Sequence, residues 1–387
     1  MTPAARVAAA IDVLDIWRSG LPAEQALTRW ARQSRFAGSK DRAAVRDHVY
    51  DVLRCKDTAV AFGGGDSGRA LMLGMLRSRG QDVGQFFTGE GYAPDPLTGE
   101  EAGFSPPEPD TWFWNMPAWV VDALEISLGD KAVDAAQILQ DRAPVTLRVN
   151  KQKGNALDAC ALLAQSDITA IRNPIEENAL TVTDGARRLR NSTAYLDGFV
   201  ELQDAASQAV VALLPTARKC LDYCAGGGGK ALAIAAQDNR EVFAHDKSPE
   251  RMKDIALRAR RAGVTVIELN DDALAQHALF DLVLCDVPCS GSGAWRRSPE
   301  GKWTLTPERL GELKEIQHAV LSEAADLVSV NGWLIYATCS LLKAENEDAV
   351  ARFLSDHRDW HCAFEKRFDV CTDADGFYTA HLTRVSI

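Results

Sequence analysis

Val7, Ile11, Leu14 and Trp17 recur at helical spacing, and Gly20 closes that segment. A second helical pattern runs from Ala23 to Ala31. A third follows Ser39, read as its N-cap, with Val45, Val49 and Val52 on one face. The chain therefore opens on an all-α module over residues 1–81. Between 114 and 208 the texture is mixed. Helices are expected over Pro117–Leu128, Ala132–Gln140 and Ala156–Ala164, and strands over Val145–Val149, Leu180–Val182 and Phe199–Leu202. That is a small α+β module. From Lys219 the pattern becomes strand, turn, helix, repeated. Short apolar runs at Cys220–Tyr223, Glu241–Ala244, Val264–Leu269, Asp281–Leu284 and Trp333–Tyr336 each end in a polar cluster. This predicts a Rossmann-like α/β domain over 209–387, built on a doubly wound parallel sheet that binds ligands at the carboxyl ends of its strands. Segments near Trp360–Glu365 and Phe377–Arg384 read as a closing hairpin.

Length and composition narrow the function classes. The 387 residues suggest two or three domains, and 46% hydrophobic with 25% charged residues is ordinary globular usage. No run approaches the ~20 apolar residues of a membrane helix. Asp12 and Asp15 interrupt the only apolar stretch near the N-terminus, so a signal peptide is not expected and the cytoplasm is. The nine cysteines are read as free thiols in a reducing compartment.

Charge changes the picture further. The net charge is −11, which by itself argues against non-specific nucleic-acid binding. Yet residues 1–80 carry 13 Lys/Arg against 8 Asp/Glu. The third helical pattern holds Lys40, Arg42, Arg46, Arg54 and Lys56. It reads either as a patch for RNA phosphates, with Arg42 and Arg46 as contacts, or as a solvated face of the bundle. Residues 82–113 contain seven acids, no Lys or Arg, and five prolines, and read as an extended acidic linker.

The sharpest chemistry lies at the strand ends. Cys224-Ala225-Gly226-Gly227-Gly228-Gly229-Lys230 lets backbone approach a ligand at a helix N-terminus. It spells neither a P-loop, since Ala231 stands where Ser or Thr would bind magnesium, nor the dinucleotide fingerprint. Asp246, at the next strand end, suits ribose hydroxyls, so a nucleoside cofactor without a pyrophosphate fits better than a dinucleotide. Cys289 follows Asp286-Val287-Pro288, and Cys339 lies in Ala-Thr-Cys-Ser. The last two parallel strands flank one cleft, where both thiols and Asp286 can converge. A zinc site using Cys285 and Cys289 competes with this reading, but Cys285 lies inside an apolar strand and no second paired cluster has zinc spacing.

Three motifs carry a resemblance: Leu-Asp-Tyr-Cys-Ala-Gly-Gly-Gly-Gly-Lys at 221–230, Cys-Asp-Val-Pro-Cys-Ser-Gly-Ser-Gly-Ala-Trp-Arg-Arg-Ser-Pro-Glu at 285–300, and Tyr-Ala-Thr-Cys-Ser-Leu-Leu-Lys-Ala-Glu-Asn-Glu at 336–347. Through them the chain resembles the RsmB/NOP/Sun family of S-adenosylmethionine-dependent RNA cytosine-5 methyltransferases, from about Thr146 onward. The front module is similar, more loosely, to the family's NusB-like helical domain. Two glycines, Gly226 and Gly227, stand where the family usually has Ala-Pro, and Val287 replaces an Ala.

The resemblance implies S-adenosylmethionine as cofactor, held by residues 224–230, Asp246, Arg251, Asp272 and Asp286. It implies Cys339 as the nucleophile toward C6 of cytosine, Cys289 as the group that releases the product, and Asp286 at the N3 edge. Arg296, Arg297 and Lys302, interleaved with Trp295 and Trp303, suit phosphate contact and stacking beside a displaced base. An ordinary surface loop is the plain alternative. The expected partner is ribosomal RNA, 16S foremost, for a monomer that needs neither metal nor membrane. Transfer to tRNA and a non-catalytic assembly factor are the alternatives. An amino-directed methyltransferase would carry an aromatic residue where Cys289 stands.

Overall fold

The computed structural model describes residues 1–108, 111, 113–237, 239–277 and 279–385, so Pro109 and Asp110 of the acidic stretch, and Trp112, lie outside the described residues. The chain divides into two compact units. One comprises Met1–Glu125, Asp130–Arg142 and Trp295–Thr304; the other Ile126–Gly129, Ala143–Ala294 and Leu305–Ile387.

The first unit is helical. Its helices Pro3–Arg18, Ala23–Gln33 and Ser39–Arg54 bury the apolar positions that their spacing picks out, including Val7, Leu14, Val45, Val49 and Val52. The third helix is capped one residue earlier than expected. Gly38 is the N-cap, and its N–H donates to the Asp41 carboxylate at 3.3 Å. Two further helices, Lys56–Gly63 and Gly68–Ser78, complete the bundle. They pack almost backbone to backbone: a Cβ on Gly74 would sit 1.8 Å from the Ala59 carbonyl oxygen. Glycine thus replaces bulky apolar residues at their contact, which hides it from a hydrophobic-period reading.

The acidic stretch is not a free linker. Phe87 is buried in the helical core, and Thr98 caps a short helix, Gly99–Gly103. The Glu101 carboxylate accepts two hydrogen bonds from the Arg69 guanidinium, at 2.7 and 2.8 Å. Arg69 also donates to the carbonyls of Asp95 and Pro96, both at 3.0 Å. The segment lacks cations of its own and finds them on the neighbouring helix, so it packs. The expected boundary at 114 moves for a similar reason. Asn115 is buried, hydrogen-bonded to Thr58 and Gln140, and ties the helices Ala118–Leu128 and Ala132–Ile138 mostly to the first unit.

The second unit contains two sheets. Strands β1 (Val145–Val149), β2 (Thr169–Arg172), β3 (Ala179–Asp184) and β4 (Val200–Leu202) form an antiparallel sheet in the order β2-β3-β1-β4. The helix Ala156–Ala164 packs on it. The edge strand β2 is largely exposed, so it lacks the buried alternation that marks its neighbours.

The larger sheet comprises β5 (Lys219–Asp222), β6 (Glu241–Ala244), β7 (Ile267–Glu268), β8 (Phe280–Asp286), β9 (Val328–Thr338), β10 (Trp360–Phe368) and β11 (Phe377–Arg384). Its order is β10-β11-β9-β8-β5-β6-β7. Five strands run parallel and the terminal hairpin joins antiparallel to β9, so the sheet is mixed. Apolar clusters cover both faces. Because β5 lies between β6 and β8, successive connections leave β5 in opposite directions, and the cleft opens above its carboxyl end. Among the described residues, no helix is long and apolar enough to cross a membrane.

Candidate active site

Four loops converge at the carboxyl ends of β5, β6, β8 and β9. After β5 the glycine run turns into the helix Gly229–Ala235. Gly226 and Gly228 take the left-handed conformation, with φ of +51° and +79°, which glycine adopts without a Cβ penalty. The Asp246 carboxylate, beyond β6, holds this turn: one oxygen accepts the Gly226 N–H and the other the Ser248 N–H, each at 2.9 Å. The exposed Arg251 pairs with the same carboxylate at 3.1 Å. Asp246 and Arg251 thus meet at the loop. Asp272 is exposed on the helix Asp271–Ala275; its neighbour Asp271 instead reaches His245, at 2.8 Å.

Lys230, in the first turn after the glycines, is buried and donates to Asp286 at the end of β8, at 2.6 Å. Burial disfavours its charge, but Asp286, Asp222 and Cys339 outweigh burial and raise its pKa. Register then brings the two thiols together. β8 and β9 run parallel with Asp286 beside Ala337, and the loops that follow place the Cys289 and Cys339 sulfurs 3.5 Å apart. The hydrogen bond with Cys339, then burial, then the charges of Cys339 and Glu345 push the Cys289 thiol well above the usual range. Burial and nearby carboxylates likewise raise Cys224, and burial raises Cys285, so neither competes as a thiolate. Among the described residues, no three His, Cys, Asp or Glu side chains are grouped to hold a metal ion.

Two carboxylates in this site escape a motif reading. Asp222, the last residue of β5, is 1% exposed, and neither of its oxygens has a hydrogen-bond partner. Burial and the charge of Asp286 raise its pKa to about 7, against the opposing pull of Lys230 and of the Ala231 amide, which lies close without hydrogen-bond geometry. Glu345 is fully buried beyond β9 and touches both cysteine loops. Both lie inside the quoted motifs, Asp222 at 221–230 and Glu345 at 336–347, but no residue type or spacing there assigns either of them a role.

The basic residues following the Cys289 loop are placed differently from expectation. Trp295–Thr304 belongs to the helical unit. Arg296 is 1% exposed and Lys302 is fully buried, its ammonium donating to the Arg54 carbonyl at 2.7 Å. The Arg54 guanidinium donates to the Arg296 carbonyl at 2.8 Å, and the Trp303 indole to the Leu53 carbonyl at 2.6 Å. Glu300 accepts the Ala23 N–H at the start of the helix Ala23–Gln33 and the Trp17 indole N–H at 2.8 Å. Lys302 and Trp303 satisfy a helix end, Glu300 satisfies a helix start, and Arg296 and Lys302 are both buried, so the expectation that these two cations meet RNA is corrected. Arg297 is exposed. Arg42 and Arg46 are exposed too, but Arg46 pairs with Glu24 at 2.6 Å and Arg42 donates to the Ala37 carbonyl.

Comparison with known proteins decides the family. Residues 210–383 match the family model described as 16S rRNA methyltransferase RsmB/F, and residues 116–187 match the RsmF/B-like ferredoxin-like domain. The chain belongs to the RsmB/NOP/Sun family of methyltransferases. It is 32% identical over 264 residues to a probable ribosomal RNA small subunit methyltransferase B of Bacillus subtilis, covering 65% of this chain and 59% of that relative. To the protein of the same description in Synechocystis it is 31% identical over 258 residues, covering 64% and 58%. The chain thus spans about three-fifths of the length of these curated relatives. The fold is shared with the solved structure of PH0851, at a TM-score of 0.78 and 20% identity over 99% of both chains. It is also shared with NSun6 from Pyrococcus horikoshii, solved with SFG, at a TM-score of 0.59 and 17% identity over 70% of this chain and 99% of that one.

Proposed function

We propose that this protein transfers a methyl group from S-adenosylmethionine to C5 of a cytosine in RNA, with 16S ribosomal RNA as substrate and the cytoplasm as its place of work. The observation that carries the reading is the pair of thiols 3.5 Å apart, at the ends of adjacent parallel strands, beside the Lys230–Asp286 pair. The names of the family model and of the bacterial relatives supply the RNA.

The glycine-loop site fits the cofactor on charge. Three carboxylates, Asp222, Asp246 and Asp286, face the cations Lys230 and Arg251, and Asp222 has no hydrogen-bond partner for either oxygen. A ligand with a net positive charge meets that excess, and Asp246 offers the carboxylate for ribose hydroxyls once Arg251 yields its place. S-adenosylmethionine, when bound, supplies an electrophilic methyl group on a positive sulfonium.

The chain's own residues prepare the base. C5 of cytosine is a poor nucleophile. A Cys339 thiolate forms a bond to C6, and the displaced electron pair makes C5 enamine-like. The Cys289 sulfur lies 3.5 Å from Cys339, close enough for its thiol to donate to a Cys339 thiolate and stabilise it. Lys230 and Asp286 serve the N3 edge, where the ring gathers charge. Once C5 carries the methyl group and has lost its proton to a base, the S–C6 bond breaks and its electron pair returns to Cys339. Cys289 serves this release.

The test is transfer of labelled methyl groups from S-adenosylmethionine to 16S ribosomal RNA, with the acceptor mapped by bisulfite sequencing. A new protected cytosine that depends on the protein is expected. Labelled RNA with no protected cytosine would reject C5 as the acceptor, and unlabelled RNA would reject the substrate.

A further inference from the structure

Beneath the two thiols lies a polar knot that the chemistry above leaves unused. Each cysteine is followed by a serine: Ser290 after Cys289 and Ser340 after Cys339. Both serines point at one buried carboxylate, that of Glu345. Its Oε1 accepts the Ser290 N–H at 2.8 Å and the Gln317 amide at 3.0 Å. Its Oε2 accepts the hydroxyls of Ser290 and Ser340, each at 2.5 Å. All four acceptor positions of the carboxylate are thus filled, and two of its bonds reach different loops through one oxygen. Bonds to an ionised acceptor in a water-free setting are short and strong.

Placement explains why such a bridge is useful. The Cys289 loop leaves β8 and the Cys339 loop leaves β9, so neither strand's own ladder fixes the separation of the sulfurs. The Ser340 hydroxyl adds a contact to the Ser292 hydroxyl at 3.0 Å, so the bridge spans both sides of the thiol pair. Glu345 itself is held by its neighbours. The next residue, Asn346, bonds Thr338 at 2.6 Å, and the Tyr336 hydroxyl donates to the Glu345 carbonyl at 2.6 Å.

We propose that Glu345 is a positioning residue that joins the two cysteine loops through Ser290 and Ser340, sets the spacing of Cys289 and Cys339, and places its carboxylate charge at the Cys289 loop. The charge of Glu345 is among the causes that raise Cys289, after the Cys339 hydrogen bond, burial and the Cys339 charge. The proposal rests on the two-thiol reading above, but its test does not.

Two properties of the full-length protein are measured without RNA or cofactor. The first is the pH profile of iodoacetamide alkylation at Cys289, read by peptide mass spectrometry. The second is the rate of Cys289–Cys339 disulfide formation with diamide, which takes up the two electrons and two protons and becomes a hydrazine. Glu345→Gln removes the charge and preserves the shape, because the serine hydroxyls can turn to accept from the new amide. It should shift the Cys289 profile to lower pH and speed its alkylation near pH 8 several-fold, up to the tenfold of one full pKa unit. The double variant Ser290→Ala with Ser340→Ala keeps the carboxylate and cuts the bridge. It should slow disulfide formation about tenfold, as looser positioning of two reacting groups does. Unfolding temperature and circular dichroism confirm the fold of each variant. In the methyl-transfer assay Glu345→Gln should lower kcat about tenfold with KM for RNA unchanged. An unchanged Cys289 profile in Glu345→Gln, or an unchanged disulfide rate in the double-serine variant, overturns the proposal even if wild-type protein transfers no methyl group.

Discussion

Replacing Asp222 with asparagine should make the protein's stability less sensitive to alkaline pH. The carboxylate is sealed at the end of β5 with no hydrogen-bond partner, and burial with the charge of Asp286 raises its pKa to about 7. In the unfolded chain an aspartate titrates near ~3.9. The folded state therefore holds the proton more tightly, so between those two values stability falls as pH rises, and the loss is complete above pH ~7. Integrated over that window, the penalty is roughly 3 kcal/mol near pH 6 and roughly 4 kcal/mol near pH 8.5. Asparagine mimics the protonated form and carries no such term. Its buried amide costs about 1–3 kcal/mol for unmet donors, but that cost does not depend on pH. The difference in unfolding free energy between variant and wild type should therefore move by about 1 kcal/mol in favour of Asp222→Asn from pH 6 to pH 8.5. Urea unfolding at a series of pH values measures it, with the midpoint shift read at constant slope. Removing one negative charge from the site should also weaken S-adenosylmethionine binding about tenfold, one charge-assisted contact's worth. A pH-independent difference between the two proteins would refute the argument, because it would mean that Asp222 has already lost its proton by pH 6.

Two other perturbations separate cofactor from RNA. Asp246→Ala should weaken S-adenosylmethionine binding by about ten- to a hundredfold, and calorimetry showing full affinity would take Asp246 out of the cofactor site. Neutralising Arg42 and Arg46 together should lower RNA affinity and flatten its dependence on salt while leaving cofactor binding alone; because Arg46 already pairs with Glu24, the change in salt slope should be nearer one phosphate contact than two.

The fold is legible in the sequence wherever a strand or helix has one buried face. The expected segments Val145–Val149 and Ala156–Ala164 coincide with the observed strand and helix, and each run of the large sheet overlaps a strand that ends in a polar cluster. The run Val264–Leu269 shortens to Ile267–Glu268 because a sheet edge pairs on one side only. What resists a local reading depends on partners far along the chain. The acids of 82–108 look unsupported until Arg69 is found beside Glu101. Arg296 and Lys302 look like an RNA-facing patch until packing buries both and the helix end at Arg54 takes the Lys302 ammonium. Within the candidate site, the strand-end cysteines and the glycine run announce themselves through residue type and position. Asp222 and Glu345 do not, because an aspartate at a strand end and a glutamate in a loop are usually solvated; their meaning comes from burial, which only packing reveals.

The central claim is that two adjacent thiols divide one reaction, and trapping the covalent intermediate tests it most directly. Wild type, Cys289→Ala and Cys339→Ala are incubated with S-adenosylmethionine and RNA, and denaturation-resistant protein–RNA complexes are resolved and assayed for a transferred methyl group. A nucleophile is needed before the adduct exists, and a release group only afterwards. Cys289→Ala should therefore accumulate an adduct whose base already carries the methyl group, and Cys339→Ala should form neither adduct nor product. An adduct trapped by Cys339→Ala and absent from Cys289→Ala would contradict the assignment and exchange the two roles. No adduct in any of the three, even with RNA containing 5-fluorocytosine, would contradict the covalent mechanism itself.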